Sequence, residues 1–188
     1  MAAYIALLRG INVGGKNIIK MAELKRMFEA LGLCEVQTYI QSGNVLFKSN
    51  EGEEALRKKI EHEIGVVFGI SSPVILRTAA ELESIILNCP FSDGEISEAE
   101  ASSEAESLYV SLMTHASSQE KMDCLNAYKS ADEEYRIIGR EVYLLFRNSI
   151  RNSKLANNLQ KLDVSATVRN WKTLNKLVGL AKAMNTSH

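Results

Sequence analysis

Residues 3–9, AYIALLR, predict a strand in a sheet that is apolar on both sides, because apolar side chains occupy both alternating faces of this run. Residues 108–113, LYVSLM, show the same pattern later in the chain. A sheet that is apolar on both sides must be covered twice. We therefore expect its helix-free face to be shielded by a sister domain, by the C-terminal helix or by a second chain.

Around these two runs, the order β-α-β-β-α-β appears twice. Apolar spacing of i, i+3, i+4 and i+7 predicts helices, and short β-type runs bounded by Gly, Asn and Ser predict strands. The first series has strands at 3–9, 36–40, 45–49 and 73–77 with helices at 21–31 and 51–68. The second has strands at 108–113, 135–140, 141–147 and 166–169 with helices at 118–128 and 152–162. This order predicts an α+β protein made of two tandem ferredoxin-like βαββαβ sandwiches.

The predicted division is a first domain at 1–77, a helical and acidic linker at 78–106, and a second domain at 107–188 that ends in a helix starting near Trp171. Within the linker, residues 79–87 predict a short helix. Residues 93–107 are acidic and Ser-rich, which is typical of either a linker or a solvated helix.

The net charge of −1 hides an uneven distribution. Residues 1–50 carry 6 basic and 3 acidic side chains, residues 51–135 carry 6 and 18, and residues 136–188 carry 10 and 2. The basic C-terminal quarter either attracts phosphates or nucleic acid, or complements the acidic middle of the same chain.

Targeting and redox signals are weak. The N-terminal apolar run is too short to span a bilayer and follows no basic segment, so we expect no signal peptide and no membrane anchor. The three cysteines have neither disulfide-framework nor zinc-ligand spacing. A cytoplasmic protein is the simplest interpretation.

Three phrases carry a resemblance to a known family: LLRGINVGGKNIIKMAEL at 7–24, TYIQSGNVLF at 38–47 and ATVRNWKTLNKL at 166–177. Together they resemble the bacterial domain-of-unknown-function family 1697, over nearly the whole chain. The resemblance implies a duplicated ferredoxin-like fold and brings no established activity with it.

The segment from Gly10 to Lys16 satisfies the P-loop spacing GxxxxGK, but Asn17 stands where a metal-binding Ser or Thr is needed. The simpler interpretation is that its glycines allow a tight path beside the sheet. The alternative is an anion-binding nest of backbone N–H groups. The candidate ligand-binding residues of this loop are Arg9, Gly10, Asn12, Gly14, Gly15 and Lys16.

The turn from Gln41 to Asn44 predicts a tight hairpin, since Gly and Asn adopt positive φ. Gly43 and Asn44 are also candidate ligand-binding residues. We expect this hairpin to lie far from the loop at residues 9–20, at the opposite end of the first strand.

A third candidate site lies in the basic C-terminal quarter. There Arg169 precedes a predicted helix start, a place that suits both a cap and a phosphate or carboxylate. The candidate residues are Arg147, Arg151, Lys154, Arg169, Asn170 and Trp171.

Other signals are incomplete. Leu108 to Val110, with Tyr143 and Phe146, partly resemble the RNA-contacting strands of an RRM, but the Arg/Lys-Gly-aromatic start is missing. His62, His115 and His188 show no ligand spacing, so we expect neither a metal nor a cofactor, and no general base can be named.

Three functional hypotheses remain open. The first is a non-catalytic protein that binds a small anionic ligand or nucleic-acid phosphate. The second is an enzyme of unrecognised type with its site at the junction of the two domains, where Arg9, Asn12, Lys16 and Asn44 would be the first polar groups to consider. The third is a structural or assembly protein, for which a homodimer is expected.

Overall fold

The structure is a computed structural model and describes residues 1–186, so His188 lies outside the described residues. The chain forms two compact units. The first comprises Met1–Ser84 together with the chain from Asn175 onward, and the second comprises Ile85–Leu174.

The first sheet has four antiparallel strands in the order β2-β3-β1-β4. They are β1 (Ala2–Leu8), β2 (Cys34–Tyr39), β3 (Asn44–Ser49) and β4 (Val74–Thr78). Helices α1 (Met21–Ala30) and α2 (Glu53–Phe68) connect them, and α3 (Ala79–Leu87) follows β4 directly.

The second sheet repeats this arrangement with the order β6-β7-β5-β8. After α4 (Asp93–Ala101) come β5 (Leu108–Met113), α5 (Gln119–Asp123), β6 (Glu133–Ile138), β7 (Glu141–Phe146), α6 (Lys154–Asn157), β8 (Ala166–Asn170) and α7 (Trp171–Thr186). The predicted α+β class is confirmed, with two four-stranded antiparallel sheets.

The helices of the second series are shorter than predicted. The helix expected at 118–128 is α5 followed by a 3₁₀ helix, Cys124–Tyr128. The helix expected at 152–162 is α6 between the 3₁₀ helices Ile150–Asn152 and Leu159–Leu162. Asn157 and Asn158 end α6, because Asn side chains compete for backbone hydrogen bonds and disfavour helix interiors.

The core of the first sheet lies under α1 and α2. Leu8 and Phe47 pack there with Leu24 and Phe28 of α1 and with Leu56 of α2, among other buried side chains. The rings of Phe28 and Phe47 meet edge to face, 5.5 Å apart between centroids. Fully burying one such side chain contributes about 1.5–3 kcal/mol, so this cluster contributes strongly to the stability of the first unit.

The central strands of each sheet are buried on both faces, as the apolar pattern predicted. In β1, Ile5 and Leu7 lie on the face opposite Tyr4 and Leu8, and both are 0% exposed. In β5, Val110 and Leu112 are 0% exposed as well. In the central strands, the side chains on the helix-free face are therefore also shielded from water.

The acidic segment predicted as either a linker or a solvated helix contains a helix, α4. Ser92 caps α4 by accepting from the Glu95 N–H (3.2 Å), and Glu95 accepts from the Ser92 N–H (2.8 Å), a reciprocal capping box. Ala99 is its fully buried residue. Within residues 1–186, no helix is both long and apolar enough to cross a membrane.

Candidate functional site

The loop that follows β1 folds into a small hairpin of its own. The Lys16 N–H donates to the Val13 carbonyl (3.0 Å), and the Asn12 N–H donates to the Asn17 carbonyl (3.1 Å). Between them, Gly14 and Gly15 have φ of +58° and +73°, as a type I′ turn requires at both central positions. These two glycines are therefore needed for the turn itself.

Asn12 holds this loop in place. Its Oδ1 accepts from the Ile19 N–H (2.8 Å), while its Nδ2 donates to the carbonyls of Ile19 (3.1 Å) and Gln41 (2.8 Å). Its φ of +53° lies in the left-handed region, which Asn tolerates better than most residues. The Asn17 Nδ2 adds a hydrogen bond to the Gly10 carbonyl (3.0 Å).

The expectation that the loop and the β2–β3 hairpin lie far apart was wrong. Because β1 and β3 are antiparallel, the end of β1 meets the start of β3, which directly follows the hairpin turn. The Leu8 N–H donates to the Gly43 carbonyl (2.9 Å), and Asn12 bonds to Gln41. The loop and the hairpin therefore form one continuous surface.

Gly43 and Asn44 have structural roles at this junction. Gly43 has φ of +86°, and a Cβ there would lie 2.7 Å from the Ile11 Cδ1. Asn44 is 0% exposed, and its Nδ2 donates to the Tyr39 carbonyl and to the Ser42 Oγ, both at 2.9 Å. Neither residue offers this surface a free polar group.

The loop is not built as a P-loop. A P-loop leads directly into a helix whose N-terminus faces the phosphate, whereas the small hairpin separates Gly10 from the start of α1 at Met21. The N–H groups of Asn12, Lys16 and Ile19 are already bonded within the loop. These three N–H groups are therefore not available to an anion, whereas the side chains of Arg9, Lys16 and Lys20 are exposed.

We call residues 9–20 and 39–44 the cationic platform. Arg9, Lys16 and Lys20 are exposed there and form no ion pair with any residue of the described chain. Neither segment contains a carboxylate side chain. Apolar side chains are exposed beside these cations: Val13 (63%), Ile18 (70%) and Ile40 (47%).

Arg169, in contrast, is buried. It is 7% exposed, and its Nη1 donates to the Thr167 Oγ1 (2.8 Å) and to the Val168 carbonyl (3.0 Å). Burial lowers the pKa of Arg169 to about 10, so the side chain stays charged at neutral pH. The Asn170 Oδ1 accepts from the Thr173 N–H (2.8 Å) and caps α7, and Trp171 is half-buried.

The other basic residues of the C-terminal quarter do not join Arg169 in one surface cluster. Arg147 follows β7 and donates to the Ala131 carbonyl (3.0 Å), with carboxylates of Glu98 and Glu134 each 4.0 Å away. Arg151 and Lys154 are exposed. The aromatic residues that partly matched an RRM are also internal: Tyr143 and Phe146 are each 1% exposed, and the Tyr143 hydroxyl donates to the Ile85 carbonyl (2.8 Å).

One feature of the second unit gave no motif in the sequence. A groove of about 640 Å³ runs beside strand β6. It is lined by Ala116, Gln119, Met122, Asp123, Asn126, Lys129, Tyr135, Arg136, Ile137 and Gly139. These residues come from separate elements, so only their tertiary arrangement reveals the groove. Among the described residues, no group of three His, Cys, Asp or Glu side chains could hold a metal.

Comparison with known proteins identifies a family. Residues 1–143 match the family described as "Protein of unknown function (DUF1697)", and the phrase at 166–177 lies beyond the matched residues. A solved structure, "conserved bacterial protein SP0830 from Streptococcus pneumoniae", is similar with a TM-score of 0.67 and 26% identity, covering 96% of this chain and 98% of the other. None of the curated proteins matches the chain. Since the family match spans most of its 188 residues, the chain belongs to the DUF1697 family.

Proposed function

We propose that this protein is a non-catalytic binding protein whose cationic platform contacts phosphate groups. The observation that carries the proposal is that Arg9, Lys16 and Lys20 are exposed in two segments that contain no carboxylate side chain. Each of these cations can approach a phosphate without first leaving an acidic partner. Contacts of this kind release condensed counterions, which favours binding to nucleic acid.

The platform is also held in a defined shape. Asn12 ties the loop to the hairpin through Gln41, and the Gly14–Gly15 turn fixes the position of Lys16. A surface that is ordered before binding loses less conformational entropy when the partner arrives.

A nucleic acid suits this platform better than a small anion. The three cations are exposed to solvent, and exposed apolar side chains flank them in the sequence. A small anion on such a surface remains largely hydrated, whereas a polyanion contacts several cations together. We therefore propose nucleic-acid phosphate as the ligand.

The test is fluorescence anisotropy with labelled single-stranded DNA and RNA of about 20 nucleotides at several salt concentrations. The variant Arg9→Gln, Lys16→Gln, Lys20→Gln should reduce the magnitude of the slope of log K against log[salt] by about 2, since each single-strand phosphate contact contributes about 0.7. A matched control is Lys58→Gln, Lys59→Gln, Lys182→Gln, which changes the net charge equally but removes lysines already paired with Glu54, Glu51 and Glu83.

Two results would count against nucleic-acid binding. One is the absence of any anisotropy change at about 50 mM salt, where electrostatic binding is strong. The other is an equal loss of affinity in the platform variant and the control variant, because net charge alone would then explain the binding.

An assembly role is the second candidate, favoured by the exposed apolar side chains of Val13, Ile18 and Ile40. Exposed apolar patches are typical of protein interfaces. Light scattering after size exclusion tests this role: an oligomer that becomes a monomer in Val13→Ser, Ile18→Ser supports it, and a wild-type monomer contradicts it.

We further infer that the two sheets belong to two copies of one ferredoxin-like βαββαβ fold. The copies comprise residues 1–77 and 107–188, and residues 78–106 join them. The support is a shared strand order and matching hydrogen bonds. The Leu8 N–H donates to Gly43 as the Met113 N–H donates to Arg140. Arg77 and Arg169, at equivalent positions in β4 and β8, each donate to the preceding carbonyl.

Bacterial origin and a cytoplasmic location also remain proposals. The similar protein from Streptococcus pneumoniae supports the first. The free thiols of Cys34, Cys89 and Cys124 support the second, because reducing compartments preserve free thiols.

A further inference from the structure

Strand β6 is an edge strand with a regular register. Its six residues pair one by one with β7, from Glu133 opposite Phe146 to Ile138 opposite Glu141, without a bulge. Among residues 1–186, the sheet order β6-β7-β5-β8 leaves the other side of β6 without a neighbouring strand. Regular edges of this kind can accept a further strand.

The register shows which backbone groups face outward. The Arg147 N–H donates to the Asp132 carbonyl (2.9 Å), in line with the ladder between β6 and β7. In an antiparallel pair, hydrogen-bonded and non-hydrogen-bonded positions alternate. The backbone N–H and C=O groups of Glu134 and Arg136 therefore point toward β7. Those of Tyr135 and Ile137 point away from it.

The groove beside β6 lies along these outward-facing groups. One wall is the edge strand at Tyr135 and Ile137, and the other is the helical segment that includes Met122 and Asn126. The Tyr135 hydroxyl donates to the Asn126 Oδ1 (2.8 Å) and ties the two walls together. The volume of about 640 Å³ is within the range of pockets that bind ligands.

The charges along the groove favour a carboxylate at one end. The Lys129 ammonium lies over the Tyr135 ring, 4.7 Å from its centroid, and forms no ion pair with residues 1–186. Arg136 is already paired with Glu95 (2.7 Å). Asp123 accepts a hydrogen bond from the Gln119 Nε2 (2.9 Å). Lys129 is thus the cation of this groove that forms no ion pair, while Asp123, its carboxylate, is bonded to a neutral amide.

We propose that this groove binds an extended peptide segment of another protein, which adds a strand to β6. The peptide backbone bonds to Tyr135 and Ile137, its alternate apolar side chains enter the groove beside Met122, and a carboxylate reaches Lys129. Main-chain bonds supply affinity and the groove supplies specificity, as in other strand-addition sites.

The geometry favours a peptide over a second copy of this chain. Directly opposed residues of paired strands lie on the same face of a sheet. If two copies paired antiparallel through their β6 strands, both helical layers would lie on the same face of the joined sheet. Each layer would then stand next to the other copy's groove. A single extended segment brings no helical layer of its own.

The experiment selects phage-displayed random peptides of about 12 residues on the full chain and measures the recovered peptides by fluorescence polarisation. Ile137→Pro removes an outward N–H and leaves the ladder to β7 intact, as edge positions allow. We expect it to weaken binding at least about tenfold. Gln119→Trp fills the groove from an exposed position of α5 and should have a similar effect. It serves as the second variant if Ile137→Pro does not fold.

A charge-reversal pair tests the carboxylate. Lys129→Glu should weaken binding of the recovered peptides, whereas Lys154→Glu, an exposed lysine of the same unit, should leave it unchanged. The platform variant Arg9→Gln, Lys16→Gln, Lys20→Gln should bind these peptides like the wild type. This proposal can therefore fail or succeed separately from the proposed function.

Hydrogen exchange of the unmodified protein gives an independent readout. The amides of Tyr135 and Ile137 should exchange fast without peptide and slowly with it, while those of Glu134 and Arg136 are protected in both states. The proposal is overturned if no peptide is enriched, or if the peptides bind Ile137→Pro and Gln119→Trp normally. It is also overturned if Tyr135 and Ile137 become protected with protein concentration alone, which would indicate a second copy at the edge.

Discussion

The two sheets have the same strand order but differ in the surfaces around them. In the first unit, a hydrogen-bonded loop at residues 9–20 follows β1, whereas the shorter connection Thr114–Ser118 follows β5. The edge strands also differ. In β2, a register shift near Glu35, which has φ of +50°, interrupts the pairing with β3, whereas β6 pairs regularly with β7. Strand pairing therefore sets the shared plan, and loops and edges decide where each unit can bind.

The largest effect on stability should come from Gly43, which packs against the loop at residues 9–20. Gly43→Ala places a Cβ 2.7 Å from the Ile11 Cδ1 at a φ of +86°, so we expect a loss of about 3 kcal/mol in the free energy of unfolding. Its counterpart in the second sheet is Arg140, which already carries a side chain. Urea unfolding measures the change.

The control for Gly43→Ala is Gly139→Ala in the hairpin of the second sheet. Gly139 also has positive φ (+58°), but an added Cβ would meet only the Glu141 Oε2 at 3.8 Å. We expect a loss of about 1 kcal/mol from the backbone alone. Equal losses at Gly43 and Gly139 would contradict the close approach of the loop to the hairpin.

The next effect concerns the side chain that ties this loop to the hairpin. Asn12→Ala removes the bonds to Ile19 and Gln41, and we expect a loss of about 2 kcal/mol. Asn17→Ala, at a similar φ of +51°, removes the one bond to Gly10 and should cost about 1 kcal/mol. Urea unfolding of both variants checks the order. A larger loss for Asn17→Ala than for Asn12→Ala would show that Asn17 is the main anchor of the loop.

A smaller effect should appear with pH at the edge strand of the second sheet. The Arg136 guanidinium, with the Ser92 N–H, lowers the pKa of Glu95 from 4.5 to about 2. A carboxylate with a lowered folded-state pKa stabilises the fold above its unfolded pKa and loses this effect as the pH falls. The stability difference between wild type and Glu95→Gln should therefore shrink between about pH 4.5 and pH 2.

Thermal unfolding at a series of pH values measures this difference. Glu100→Gln is the control, because Glu100 is exposed on the same helix and forms no ion pair within the described chain. A difference for Glu95→Gln that stays constant throughout the acid range would mean that the ion pair with Arg136 does not form in solution.

The smallest effect concerns thiol reactivity and does not alter stability. Cys34 at the start of β2 and Cys124 in the helical layer of the second unit are exposed, whereas Cys89 is half-buried. Burial raises the pKa of the Cys89 thiol, which lowers its thiolate fraction. With Ellman's reagent at about pH 8, we expect Cys89 to react more slowly than the other two. Cys89→Ser should remove the slow phase, and an unchanged slow phase in that variant would refute the assignment.

Local patterns predicted most of the secondary structure. The helical spacing of Leu24, Phe28 and the neighbouring apolar residues marked α1, and the turn residues 41–44 marked the hairpin between β2 and β3. The breakdown of the helices after Ser118 and Ser153 was missed, because short 3₁₀ segments have almost the same apolar spacing as one longer helix.

The candidate sites were harder to predict. The sequence marked Arg9 and Lys16 as candidate ligand-binding residues, and the structure shows both exposed. It also marked Arg169, which is buried in β8, because the exposure of a basic side chain depends on which strands lie around it. The groove beside β6 had no motif at all, since Met122, Lys129 and Ile137 meet only after the chain folds.

The order of strands and helices, and the burial of the central strands on both faces, could be predicted from the chain alone because they depend on the periodicity of neighbouring residues. The junction between the loop at residues 9–20 and the β2–β3 hairpin, and the open edge of β6 beside a groove, became visible in the folded molecule. Both depend on which strands pair and in which direction, and that choice is made by contacts between residues distant in the chain.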